Sequence, residues 1–268
     1  MTGNSRRYLR LLGIEGRPSG LSGLRALVRR HLAAVPFENI SKLLLYDRER
    51  AGRPTTLAEY LDGIEFSDLG GTCYTINPFL GELLRDLGYE AELLGADMSR
   101  PNVHTCIRTQ VDGAAYLVDA GFAAPFREPM RLDALPFRLQ EGANHYVLEA
   151  DGGGAPRMSM FTATEYVFGY TAHDPPFPPE LLAQVIVDSY TPSSTFLRGL
   201  RISRVYDGYS LDLIDRKLYR HEAGQTAVAP VESMAGLREA VHGELNLPRC
   251  PIESAVAVLE RLTGKPWF

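Results

Sequence analysis

A cysteine behind a double-glycine turn, a histidine opening one strand-like run and an aspartate near the end of the next are residues that together do nucleophilic chemistry. The cysteine is Cys73, in Leu69-Gly70-Gly71-Thr72-Cys73-Tyr74-Thr75-Ile76-Asn77. Adjacent glycines let the backbone take positive φ and pass close to a bound group. Phe79, Leu80, Leu83, Leu84 and Leu87 then recur at helical spacing and stop at Gly88. The thiol is therefore expected near a helix N-terminus, where unpaired N–H groups favour the thiolate, its reactive form. A lone cysteine at such a position is more often a small buried hydrophobe, so the reading as a nucleophile rests on partners.

Partners stand about thirty residues on. Residues 103–111 and 114–122 read as strands joined by Asp112-Gly113, the strongest short hairpin signal a sequence offers. With Val111 opposite Ala114, Cys106 faces Asp119 and His104 faces Gly121, which makes His104 and Asp119 diagonal neighbours on one face. Gly121, lacking a side chain, leaves open the space above His104 for a thiol from another segment. The pattern is a Cys-His-Asp triad in chain order, with Cys73 as nucleophile, His104 as base, and Asp119 orienting the ring and stabilising the imidazolium. Either partner alone would be commonplace, a strand-end histidine or a turn-forming aspartate. Cys106 is the weaker nucleophile, because it lies in a strand interior and points at a carboxylate.

At these residues the chain resembles the arylamine N-acetyltransferases. That family carries Arg-Gly-Gly-x-Cys-x-Glu-x-Asn, then a strand opening with histidine, then a strand ending Asp-x-Gly-Phe-Gly; here these read Leu69 to Asn77, His104, and Asp119-Ala120-Gly121-Phe122-Ala123. Val35-Pro36-Phe37-Glu38-Asn39 is similar to the family's Pro-Phe-Glu-Asn segment, and Tyr190-Thr191-Pro192-Ser193-Ser194-Thr195-Phe196 to its Pro-x-Ser-x-Phe segment. The likeness spans nearly the whole chain. It departs at Leu69, where the family has arginine, at Thr75, where it has glutamate, and at Ala123, where it has glycine. Losing both members of a buried ion pair is close to neutral, whereas losing one strands a charge. Glu38 still stands, and if the absent arginine is its usual partner it needs another.

The resemblance implies an α+β fold of the cysteine-proteinase kind. A helical region over 1–90 carries the nucleophile, an antiparallel β-barrel over 91–195 carries histidine and aspartate, and an α/β lid follows over 196–268. It also implies acyl transfer in two half-reactions, from a thioester such as acetyl-CoA to Cys73 and on to an amine, with no permanently bound cofactor. Phe37, Phe122 and Phe196, with Gly121, are then the substrate-binding residues, flat rings against an aromatic amine. Other readings stay open: an amide synthase fed by an acyl carrier protein or a longer thioester, a papain-type hydrolase, or a binding protein with a dead site.

Composition is compatible with this. The chain has 268 residues, 45% hydrophobic and 23% charged, enough for one large core or a few packed subdomains. A net charge of -5 argues against nucleic-acid binding, so an anionic ligand must be held by local donors. Three cysteines make no disulfide framework and no zinc spacing, which suits a reducing compartment. With no apolar stretch behind the first charges and none of membrane-spanning length, the expectation is a cytoplasmic protein with no membrane partner.

Local signals place the elements. Leu24, Leu27, Val28, His31 and Leu32 form one helix face that must end near Val35, ahead of Pro36. His31 reads as a hydrogen-bonded core-edge residue. Thr56 and Glu59 form a capping-box pattern, and Pro78 is expected to kink the helix after Cys73. Residues 145–149 and 157–162 read as strands around Asp151-Gly152-Gly153-Gly154, and 209–214 and 217–220 as strands around Asp215-Arg216. Two helices close the chain, around 234–241 and 253–262.

Overall fold

The computed structural model describes residues 1–123, 126–141, 144–162, 165–191 and 193–268. Up to Asp86 the chain forms α1 (Gly3–Leu11), α2 (Gly20–Ala34), the short strand β1 (Phe37–Glu38), α3 (Ile40–Glu49), α4 (Leu57–Ser67) and α5 (Cys73–Asp86). The buried face of α2 carries Leu24, Leu27, Val28, His31 and Leu32, and Val35 turns extended before Pro36, as the proline ring demands. The capping box at α4 is complete: the Glu59 N–H donates to the Thr56 hydroxyl and the Thr56 N–H to the Glu59 carboxylate. Helix α5 continues through Pro78 to Asp86, and the one bond that the ring cannot make is that to the Tyr74 carbonyl.

A curled antiparallel sheet follows, built from β2 (Glu90–Asp97), β3 (His104–Val111), β4 (Ala114–Val118), β5 (Met130–Arg131), β6 (Phe137–Glu141), β7 (Asn144–Ala150), β8 (Pro156–Phe161) and β9 (Tyr166–Ala172). Its order is β5-β4-β3-β2-β9-β8-β7-β6, and the outer strands β5 and β6 lie near each other, so the sheet almost closes into a barrel. Asp112 and Gly113 both hold positive φ, 51° and 78°, the geometry of a tight hairpin turn whose twist matches its strands.

That hairpin pairs Val111 with Ala114 and keeps the register to Ile107 with Val118. The expected pairs beyond, Cys106 with Asp119 and His104 with Gly121, are not part of the ladder. Past Val118 the backbone turns toward α5, where the Ala120 and Gly121 N–H groups donate to Asn77 Oδ1. The proline-rich segment after β9 leads into α6 (Pro179–Asp188), a helix inside a stretch that reads as strand and loop. Pro179 sits in its first turn, where a missing N–H costs nothing.

The remainder is β10 (Arg201–Val205), β11 (Tyr209–Ile214), β12 (Lys217–Glu222), β13 (Gln225–Pro230), α7 (Met234–Arg238) running on into a wider turn over Glu239–Glu244, and α8 (Ile252–Thr263). These strands and β1 make a second sheet, ordered β1-β10-β11-β12-β13. Packing crosses the linear order of the chain. Ile40 and Leu43 of α3 share a core with Ile202, Val256 and Leu259. Ile76 and Leu80 of α5 instead pack with Leu27, Leu61, Ile107 and Val118. A third core fills the barrel, with Leu94, Cys106, Leu117, Tyr146 and Met158. Among the described residues no helix is long and apolar enough to cross a membrane.

His31 lies deeper than a core-edge residue. It is fully buried, its Nε2 is 3.0 Å from the Tyr60 hydroxyl, and burial lowers its pKa from 6.5 to about 3. The unfolded chain therefore takes a proton here that the native state refuses. The stability contributed by neutral His31 is complete above pH 6.5 and is lost as pH falls toward 3. His31→Gln, which binds no proton, is expected to flatten the decline of urea stability across that window, and a slope equal to the parent's would refute the assignment.

Candidate active site

Cys73 is the first residue of α5, and the carbonyl of the preceding Thr72 accepts the N–H groups of Thr75 and Ile76. First-turn N–H groups that lack an intrahelical acceptor thus lie at the thiol's own residue, at the positive end of the helix. The two glycines have separate reasons. A Cβ on Gly70 would stand 2.1 Å from the Pro36 carbonyl oxygen, while Gly71 holds φ at 91°.

Glu38 grips this turn from both sides. Its N–H donates to the Gly71 carbonyl at 2.9 Å, and its carboxylate accepts the N–H groups of Gly71 at 2.6 Å and Ser41 at 2.9 Å. Backbone donors therefore stand where a cation was sought for Glu38. Burial raises its pKa and these bonds oppose the rise. Leu69 packs against the C-terminal core, and Thr75 lies over Gly71.

His104 opens β3 opposite Ala96. Its Nε2 is 2.7 Å from Asp119 Oδ2, which leaves Nδ1 as the ring's other nitrogen, and the Cys73 thiol, 4.0 Å from the Val103 carbonyl oxygen, lies at the strand end that His104 opens. Burial disfavours the imidazolium, but the charges of Asp119 and Cys73 and the hydrogen bond to Asp119 outweigh burial and raise the His104 pKa to about 10. The structure thus brings together the cysteine, histidine and aspartate selected from the sequence.

Asn77, quoted in the motif without a role, joins them. Its Nδ2 donates to Asp119 Oδ1 at 2.8 Å and to the Thr105 carbonyl at 2.5 Å, and its Oδ1 accepts from Ala120 and Gly121. The signal was its place four residues after Cys73, on the same helix face. A Cβ on Gly121 would lie 2.7 Å from Cys73 Cα and 2.7 Å from Asn77 Nδ2. The bare position thus admits the backbone of α5 at Cys73.

Of the aromatic candidates, Phe122 packs against His104 with ring centroids 5.3 Å apart, next to Tyr170, whose ring is 4.7 Å from His104. Phe37 meets Phe196 edge-on at 5.8 Å, and Asn39 Nδ2 fixes the latter's carbonyl at 2.9 Å. Pro192 of the same motif lies outside the described residues. Cys106 is fully buried, and burial, then the charges of Asp119 and Cys73, push its thiol well above the ordinary range. Burial, then nearby carboxylates, raises Cys250 too. A groove of about 1170 Å³ runs past Leu94, Arg108, Gln110 and Leu132, and none of Cys73, His104 and Asp119 lines it.

Comparison with known proteins agrees with this geometry. Residues 20–247 match a family described as N-acetyltransferase. The arylamine N-acetyltransferase of Mycolicibacterium smegmatis is 30% identical over 255 residues, spanning 87% of this chain and 88% of that protein. A solved structure of a Mycobacterium smegmatis N-arylamine acetyltransferase is similar with a TM-score of 0.80 at 27% identity, covering 99% of both chains. The fold alone is shared with the Mycobacterium marinum arylamine N-acetyltransferase solved in complex with CoA, at a TM-score of 0.83, 23% identity and coverage of 96% and 98%. The chain is thus an enzyme of the N-acyltransferase class, with the α+β fold of its solved relatives. It belongs to the arylamine N-acetyltransferase family.

Asn77→Ala would strip Asp119 Oδ1 of one donor and leave the Ala120 N–H without its acceptor. A loss of kcat of roughly ten- to a hundredfold is expected, as for other residues that orient a reacting group from behind. Steady-state kinetics checks it, and a change under twofold would show that Asn77 does not hold the aspartate.

Proposed function

We propose that Cys73, His104 and Asp119 are the catalytic residues of an acetyl transfer from coenzyme A to the nitrogen of an arylamine. The observation that carries this is the orientation of His104. One ring nitrogen is bound to a fully buried carboxylate, and the ring opens the strand at the point where the Cys73 thiol, at a helix N-terminus, meets the Val103 carbonyl. In the first half-reaction the Cys73 thiolate adds to the thioester carbonyl. As the tetrahedral adduct collapses, the bond to the coenzyme A sulfur breaks and that sulfur takes the proton from the His104 imidazolium. In the second, the amine nitrogen adds to the acyl-Cys73 carbonyl, His104 takes the amine proton, and the Cys73 thiolate leaves. Asp119 keeps the ring in the tautomer that each transfer needs and stabilises the imidazolium.

Phe122, against His104, and Phe37 with Phe196 are the rings we assign to the substrate, with Gly121 giving the backbone clearance. Family membership supports acetyl-CoA as donor over a longer carrier-bound chain. Free cysteines at all three positions, with no disulfide, support a reducing cytoplasmic setting.

Intact-mass spectrometry after incubation with acetyl-CoA is expected to show one acetyl adduct, mapped to Cys73 and lost in Cys73→Ala. A longer thioester that loads where acetyl-CoA does not would favour the amide-synthase reading, and no adduct with any thioester would overturn the nucleophile. Asp119→Asn is expected to reduce kcat by on the order of a thousandfold or more, since it presents the wrong partner to the ring. A loss under tenfold would reduce Asp119 to a structural residue.

A further inference from the structure

The chain reaches His104 through residues 98–103, and side chains from outside that connection hold it in place. Asp97, the last residue of β2, accepts the Asn102 N–H on its Oδ1 at 2.8 Å. Asn102 holds φ at 56°, a left-handed geometry that is costly for a residue with a side chain and that asparagine bears better than most. Its carbonyl accepts the Tyr74 hydroxyl at 2.8 Å. Val103 follows, with its carbonyl oxygen 4.0 Å from the Cys73 thiol, and then His104 itself. Asn102 is therefore pinned to β2 on one side and to the residue after Cys73 on the other, just before the chain meets the thiol.

Asp97 has a support of its own. His173, directly after β9, donates from Nε2 to the same Asp97 Oδ1 at 2.8 Å, and its backbone N–H donates to the Gly95 carbonyl at 2.8 Å. Further on, the Phe177 N–H donates to the Leu93 carbonyl at 2.8 Å, so the segment leaving β9 is docked on β2. Gly95 leaves room for both neighbours: a Cβ there would stand 3.1 Å from Asn102 Oδ1 and 3.2 Å from the Phe177 ring. Burial would raise the Asp97 pKa, but the Asn102 N–H and then His173 outweigh it and hold the carboxyl below its ordinary value. Asp97 is thus an anion at neutral pH, and an ionised acceptor bonds a backbone N–H more strongly than a neutral one.

We propose that Asp97 and His173 are positioning residues for the acyl transfer: through Asn102 they set where the Val103 carbonyl and His104 stand relative to the Cys73 thiol. The inference rests on Cys73 being the acylated residue and His104 its base. Asp119 fixes the ring of His104, whereas Asp97 acts on the backbone that leads to it, so the two carboxylates govern different coordinates of the same imidazole. A misplacement of about 1 Å between reacting groups can cost roughly a hundredfold in rate, which is the scale on which a loosened connection would be felt.

The test is the single-turnover rate of Cys73 acetylation by acetyl-CoA, read by intact mass, in the parent and in Asp97→Ala, Asp97→Asn, His173→Ala and Tyr74→Phe, with KM and melting temperature measured alongside. Asp97→Ala removes both bonds and is expected to slow loading roughly ten- to a hundredfold, with KM for acetyl-CoA changed by less than about threefold. Asp97→Asn keeps an oxygen for the Asn102 N–H and is expected to recover most of that rate. His173→Ala, at a half-buried surface position, is expected to lose about three- to tenfold, and it carries the test if Asp97→Ala folds poorly. Because Asp97 and Tyr74 act on the same Asn102, their losses are expected to be non-additive in the double variant. Loading within about twofold of the parent in Asp97→Ala and His173→Ala would overturn the positioning role, and so would strictly additive losses or an effect confined to KM. A parent that does not acetylate Cys73 at all would refute the reading of the nucleophile and this inference with it, whereas a parent and variants that load equally well would overturn the inference alone.

Discussion

A carboxylate with no access to water must find its donors inside the protein, and Asp119 is fully buried. Its donors come from different parts of the chain: His104 on β3, Asn77 on α5, and the Gly121 N–H of its own turn. Satisfying one charge therefore fixes the end of the hairpin against the start of α5. Asn77 adds the Thr105 carbonyl and the Ala120 N–H to the same knot. Thr105 closes it by donating its hydroxyl to the Cys73 carbonyl at 2.8 Å. The helical layer and the barrel are thus joined at the place where the thiol, imidazole and carboxylate meet. Precision at the site follows from bonds the fold needs anyway.

A second buried carboxylate holds the other side of the thiol. Glu38 reaches the Gly-Gly turn, and Asn39 beside it donates to the Phe196 and Gly199 carbonyls and accepts from the Arg201 N–H. One short segment therefore ties the turn before Cys73 to the C-terminal sheet. A buried carboxylate without a cation would normally be costly, but Glu38 accepts backbone N–H donors that offset the cost of its burial.

Much of this was legible because it is local. The capping box of Thr56 and Glu59, the Asp112-Gly113 turn and the end of α2 before Pro36 depend on residues within a few positions of one another. The two-residue hairpin loop fixed the register as far as Ile107 and Val118, which brings His104 and Asp119 to the same end of the hairpin. Where the register reading failed, past Val118, a side chain from another element competed for the backbone N–H groups, and no strand pattern encodes that. Helix α6 escaped for a related reason. Its buried face is narrow, with Ile186 as its buried residue, so periodicity had little to work with beside four prolines at 175, 176, 178 and 179.

The two buried histidines show what residue type leaves undetermined. His31 sits among apolar neighbours with a phenolic hydroxyl as partner, and burial drives its pKa down to about 3. His104 is nearly as deeply enclosed, yet its pKa rises to about 10, because the charges of Asp119 and Cys73 oppose the same burial cost. The signs of their contributions to stability are opposite. The charged His104 stabilises the fold fully below pH 6.5, and that stabilisation is lost as pH rises through 10, whereas neutral His31 stabilises it above 6.5 and loses that role toward 3. An imidazole beside a buried carboxylate can hold a proton near neutral pH, while a neutral imidazole in an apolar core can do no more than share a hydrogen bond. Function is therefore set by which charges share the enclosure, and at His104 both of them arrive through the Asn77 knot.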